Sequence, residues 1–130
     1  MRGFLLDSDI LIWHLRGRQD VVELLERLAE SGELVVSAVS VLEVQAGVRA
    51  GEEERTDAFL EGLACLSVDR EIAGRAGAYI RTYRTQGATL GFADALVAAT
   101  AVEHNLALVT KNSAHYPMPE VELLDDELAR

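Results

Sequence analysis

The chain has 130 residues and a mass of 14.2 kDa, with 49% hydrophobic and 26% charged residues, which predicts a single folded domain over residues 1–130 and excludes both a two-core protein and a disordered one. Twelve basic against 22 acidic side chains leave a net charge of −10, which weighs against a general nucleic-acid binder. One cysteine, Cys65, excludes an internal disulfide, and no stretch approaches the ~20 apolar residues that cross a bilayer.

Residues 3–6 are an apolar run that stops at Asp7. This pattern predicts a short buried strand and no secretory leader, hence a soluble, cytoplasmic protein. Apolar positions from 10 to 15 suggest a short helix ended near Gly17, and those at 21, 22, 24, 25 and 28 have helical spacing up to Gly32. A β-branched run at 34–36 predicts a second strand. Helices follow over 39–48 and 56–63, then a third strand over 66–68 and a helix over 72–83. The Ala-rich segment 92–104 reads as a long helix, 106–109 as a buried strand and 121–124 as a last strand.

Strands alternating with helices specify an α/β fold with a central parallel sheet of about four to five strands and helices on both faces. Sites in such sheets form outside the carboxyl ends of the strands. Asp7, the segment from Ser37 to Glu43, and Thr110, Lys111 and Asn112 all follow strands directly, and Asp94 opens the helix that feeds the late strand. All four segments can meet on one rim.

Each acid has two readings. Asp7 or Ser8 can cap the following helix, or Asp7 can be a ligand. Ser40 and Glu43 match a capping box, yet Glu43 stands among Val39, Val41, Leu42 and Val44, where a carboxylate wants a partner. Asp94 suits a helix dipole, but its surroundings are apolar or small. Thr110 and Asn112 either lie in an ordinary loop or complete the rim. Taken together, carboxylates ~5 Å apart at an effective dielectric near 20 repel by roughly 3 kcal/mol per pair. Such clustering calls for a cation or raised pKa values. All-oxygen ligands suit Mg2+ or Mn2+, and such ions support hydrolysis of phosphodiesters.

The segments FLLDSDILI (4–12), VSAVSVLE (36–43), FADALVAA (92–99) and LVTKNSAH (108–115) stand in this order, and with them the chain resembles the PIN-domain family, specifically the VapC-type toxins of bacterial toxin–antitoxin pairs. The resemblance covers nearly the whole chain. It implies a three-layer α/β/α sandwich and a Mg2+- or Mn2+-dependent endoribonuclease, with the acidic positions at Asp7, Glu43 and Asp94 and supporting roles for Ser8, Thr110 and Asn112. It also implies a homodimer, a cognate VapB-type antitoxin and an RNA substrate. Relatives often carry a fourth acid in the loop after the late strand; Asn112 and His115 stand there instead. The competing readings are a non-catalytic partner-binding protein on the same fold and an Asp-based phosphotransfer domain, suggested by Asp7-Ser8-Asp9 after the first strand.

Other residues are read structurally. Asp9 is expected to be a first-turn acid, His14 and His104 structural or surface groups, and Cys65 a small core residue. Trp13 with Leu24, Leu25 and Leu28 is expected to leave an apolar surface on the early helices where an antitoxin could lie.

Overall fold

The computed structural model describes residues 2–124; the acidic run at 125–127 lies outside them. The elements are β1 (Phe4–Leu6), α1 (Ser8–Leu15), α2 (Gln19–Ser31), β2 (Leu34–Ser37), α3 (Ala38–Ala46), α4 (Glu53–Glu61), β3 (Ala64–Leu66), α5 (Arg70–Thr85), α6 (Phe92–Glu103) and β4 (Ala107–Val109), followed by a 3-10 turn (Ser113–His115). The four strands form one sheet in the order β3-β2-β1-β4, and every neighbouring pair is parallel.

The alternation of side chains along a strand splits the core in two. Leu5, Val35 and Leu108 face one way, onto Ile72, Ala76 and Tyr79 of α5 and the alanines of α6. Leu6, Val36 and Val109 face the other way, onto Ile10 and Leu11 of α1, the Val21/Leu24/Leu25/Leu28 stripe of α2, and Val44 and Leu60. The result is a three-layer α/β/α sandwich. The two central strands, β1 and β2, read as continuous apolar runs because both faces are covered.

Two glycines set the connections. Gly17, at φ 76°, turns the chain after α1 in a conformation that side chains other than glycine rarely adopt. At Gly32, which follows α2, a Cβ would lie 2.2 Å from the carbonyl oxygen of Arg2, so no larger residue fits between α2 and β2.

The structure departs from the sequence expectations at four places. The third strand begins two residues earlier than its apolar run, at Ala64, and forms an edge of the sheet. Cys65 is consequently exposed, not a core residue. Residues 121–124 form an isolated parallel bridge between Leu123 and Leu108, not a full strand. Leu24, Leu25 and Leu28 are buried under the sheet, so only Trp13, 40% exposed, remains of the expected apolar surface on the early helices.

Candidate functional site: a carboxylate cluster at the C-terminal rim

Asp7 follows β1 with no intervening loop and is the N-cap of α1, accepting a hydrogen bond from the Ser8 amide at 2.8 Å. Its own amide donates to the Val109 carbonyl at 3.0 Å, which ties it to the end of β4. The side chain is only 6% exposed. Its Oδ2 accepts from the Thr110 hydroxyl at 2.9 Å and from the Tyr116 hydroxyl at 2.8 Å. A carboxylate offers about four acceptor positions. Three are occupied, and the one left is on Oδ1.

Asp94 lies in the first turn of α6, three residues past its Gly91 N-cap. The Tyr116 hydroxyl stands 3.4 Å from its Oδ1, and Nδ1 of His115 lies 3.4 Å from its Oδ2. Burial raises the Asp94 pKa; His115 opposes that shift and the charge of Asp7 adds to it.

Glu43 sits in the second half of α3, half-buried. The capping-box alternative fails. The helix follows β2 with no intervening residue, and its cap is Ser37, the last residue of β2, which accepts from the Val39 amide at 3.1 Å. Ser40 is fully buried inside the helix, and its hydroxyl is without a hydrogen-bond partner. Glu43 instead has the Ser8 side chain beside it. Burial raises its pKa first; Ser8 lowers it, and the charges of Asp7, Asp94 and Asp9 raise it further.

Asp9 is more than a first-turn acid. Its Oδ1 accepts from the Ile10 amide at 2.8 Å; its Oδ2 accepts from the Lys111 amide at 2.9 Å and from Nδ2 of Asn112 at 3.1 Å. It thus latches the loop after β4 to α1. Burial, then the charge of Asp7, raises its pKa. Asn112 lies in the loop and spends its amide on Asp9, while its backbone amide donates to Thr110 Oγ1 at 3.0 Å. Lys111 pairs with Asp20 at 3.6 Å.

Asp7, Ser8, Glu43, Asp94 and Thr110 therefore share one rim, with Asn112 one bond away through Asp9. Tyr116 was not anticipated. It is 3% exposed, and burial beside the acids, led by Asp7, pushes its phenol strongly up, so it stays a proton donor. Of the remaining candidates, His14 stacks on Phe59 with ring centroids 4.4 Å apart and is structural. Arg18 pairs with Asp20 at 2.8 Å and lies over the Trp13 ring.

Among the described residues, no three carboxylate, imidazole or thiol side chains converge tightly enough to hold an ion by themselves. Mg2+ does not require that. It is bound through one or two carboxylates and keeps several waters. Partly buried acids whose pKa values rise through burial first and through one another's charge second offer carboxylate oxygens that fit such a hydrated cation.

Three comparisons bear on this arrangement. The PIN domain family model matches residues 4–120. Ribonuclease VapC10 of Mycobacterium tuberculosis is 38% identical over 116 residues, covering 89% of this chain and 87% of the relative. Among solved structures, a toxin–antitoxin complex from Klebsiella pneumoniae aligns at 30% identity and a TM-score of 0.76, over 90% of this chain and 93% of that one. VapBC2 from Rickettsia felis, bound to a DNA fragment from its promoter, aligns at 25% identity and a TM-score of 0.80, over 93% and 96%. No helix among the described residues is long and apolar enough to cross a membrane.

Proposed function

The chain belongs to the PIN-domain family, and from that premise we propose that it is a Mg2+- or Mn2+-dependent endoribonuclease, the cytoplasmic toxin of a VapBC-type pair, built as one domain over residues 1–130. The likeness to a ribonuclease over 89% of the chain supports the activity. The likeness to toxin–antitoxin complexes supports a VapB-type antitoxin as partner, with a homodimer as the assembly.

The observation that carries the chemistry is the pair Asp7–Asp94, bridged by one buried tyrosine hydroxyl and faced by Glu43. In this reading Asp7, Glu43 and Asp94 hold the ion, either directly or through its waters. A bound Mg2+ supplies charge stabilisation at the phosphoryl oxygens and lowers the pKa of bound water. The chain's own residues do the positioning. Thr110 and Tyr116 fix the Asp7 carboxylate, Ser8 orients Glu43, and Asp9 holds the 110–112 loop against α1. Unoccupied, the cluster repels phosphate, so an RNA backbone is admitted only once its charge is offset. Asn112, spent on Asp9, adds no charge, which favours one ion over two.

The test is cleavage of a labelled RNA with and without Mn2+, in wild-type protein and in Asp94→Asn. Metal-dependent cleavage lost in the variant supports the nuclease. Antitoxin binding with no cleavage under any divalent metal would leave only the partner-binding alternative.

A further inference from the structure

Beside Asp94 lies a cavity of about 240 Å3 that opens to solvent. One wall is Tyr83, in the last turns of α5. A second is Leu90, from the loop between α5 and α6, and a third is Pro117, after the 3-10 turn. Thr89 and His115 supply polar edges, and Asp94 itself closes the side toward the carboxylate cluster. The loop is braced where the Ala88 amide donates to the Tyr83 carbonyl at 2.9 Å.

The lining residues identify the chemistry. No Lys or Arg is among them, so the cavity does not hold a phosphate. The half-buried Tyr83 ring, with Leu90 and Pro117, gives broad apolar surfaces. Thr89 and His115 give a few directional hydrogen bonds. Flat apolar walls with sparse polar edges suit a planar heterocycle, and unpaired RNA bases are read in this way, by stacking on aromatic side chains with hydrogen bonds to their edges. Because Asp94 belongs to both the cavity and the cluster, the occupant lies next to the reacting phosphate.

We infer that this cavity receives the base of the nucleotide flanking the scissile bond, and so sets where an unpaired RNA is cut. The inference rests on the nuclease reading and adds a specificity site to it. Tyr83 and Thr89 are binding residues, distinct from the acids. A paired base cannot leave its helix without cost, so cleavage is confined to single-stranded segments.

The experiment begins without metal or cleavage. The four ribonucleosides, which carry no phosphate for the metal-free acids to repel, are titrated separately into the full chain while the Tyr83 and His115 ring signals are followed by NMR. One base is expected to bind at least threefold more tightly than the weakest and to shift both rings. Ala88→Trp, which fills the cavity, should abolish the shifts, and Thr89→Ala, at an exposed position, should reduce the discrimination without touching the fold. On randomised RNA with Mn2+, wild-type protein should favour one base beside the cut, and both variants should weaken that preference, by roughly tenfold in Ala88→Trp. Base-independent shifts, or variant cleavage profiles identical to wild type, overturn the inference. An Ala88→Trp protein with an unchanged RNA profile but weakened antitoxin binding also overturns it, and assigns the cavity to a partner peptide. Base-selective shifts in a protein that cuts no RNA sustain the pocket and refute the nuclease.

Discussion

The Tyr116 hydroxyl donates to Oδ2 of Asp7 at 2.8 Å across 109 positions of sequence. This bond closes the rim, because it fastens the segment after the 3-10 turn to the end of β1. It also leaves Asp7 with a defined orientation. Hydrogen bonds to a charged group contribute about 1.5–3 kcal/mol. Tyr116→Phe should therefore melt several degrees lower and cleave RNA at least tenfold more slowly, with the secondary structure unchanged by circular dichroism. Wild-type activity in this variant would show that Asp7 needs no such anchor.

Metal binding should show as stability. A cation that binds only the folded state at a hundredfold excess over its Kd adds about 2.7 kcal/mol, which is on the order of 10 °C for a domain of this size. Mn2+ should raise the melting temperature of wild-type protein and raise that of Asp94→Asn less. In the metal-free state the variant should be the more stable, because it removes one of the repelling charges. Equal shifts in both proteins would take Asp94 out of the metal site.

Glu43→Gln separates chemistry from architecture. The α3 cap is Ser37, so the substitution should leave the metal-free melting temperature unchanged or higher and should sharply reduce Mn2+-dependent cleavage. A lower melting temperature with full activity would restore a structural role for this carboxylate.

The acids also fix the sign of the pH dependence. Asp9, Glu43 and Asp94 all have pKa values raised in the folded state, so the folded chain binds more protons than the unfolded one between the ordinary and the raised values. Stability falls with rising pH wherever the folded state is the more protonated. The metal-free protein should lose stability as pH climbs from about 4 through the raised values. The Mn2+-induced increment should grow over the same interval, because ligation needs the deprotonated form. Chemical denaturation at several pH values, with and without Mn2+, reads both slopes.

Asn112→Asp tests the latch. With Nδ2 of Asn112 3.1 Å from Asp9, the new carboxylate would face an existing one. The metal-free protein should melt a few degrees lower, and Mn2+ should restore more stability than it gives to wild type. A variant that melts like wild type would show that the 112 side chain has turned away from Asp9.

Much of this rim was legible in the sequence because strand ends are legible. Asp7, Ser37 and Thr110 each follow an apolar run, and a parallel sheet delivers such residues to one edge. Asp94 was marked by an apolar window that an exposed acid would not occupy. Glu43 was ambiguous because Ser40 and Glu43 have capping-box spacing; only the zero-residue junction between β2 and α3 removes that role, and no local pattern encodes so short a junction. Tyr116 escaped because it follows an irregular turn with no periodicity, and its partner is remote. Cys65 was misjudged because three residues of an edge strand look apolar whether or not a layer covers them.

The abrupt passage from β1 into α1 has a practical consequence at the bench. Asp7 is at once the helix cap, the anchor for Thr110 and Tyr116, and a member of the acidic cluster, so a silent protein made by changing position 7 confounds lost chemistry with a disturbed scaffold. Among the described residues, the Asp94 carboxylate is met only by the long contacts to Tyr116 and His115. Under the proposed function, a substitution there would be the cleaner inactive form for producing the protein in cells, for trapping RNA and for holding the partner during crystallisation.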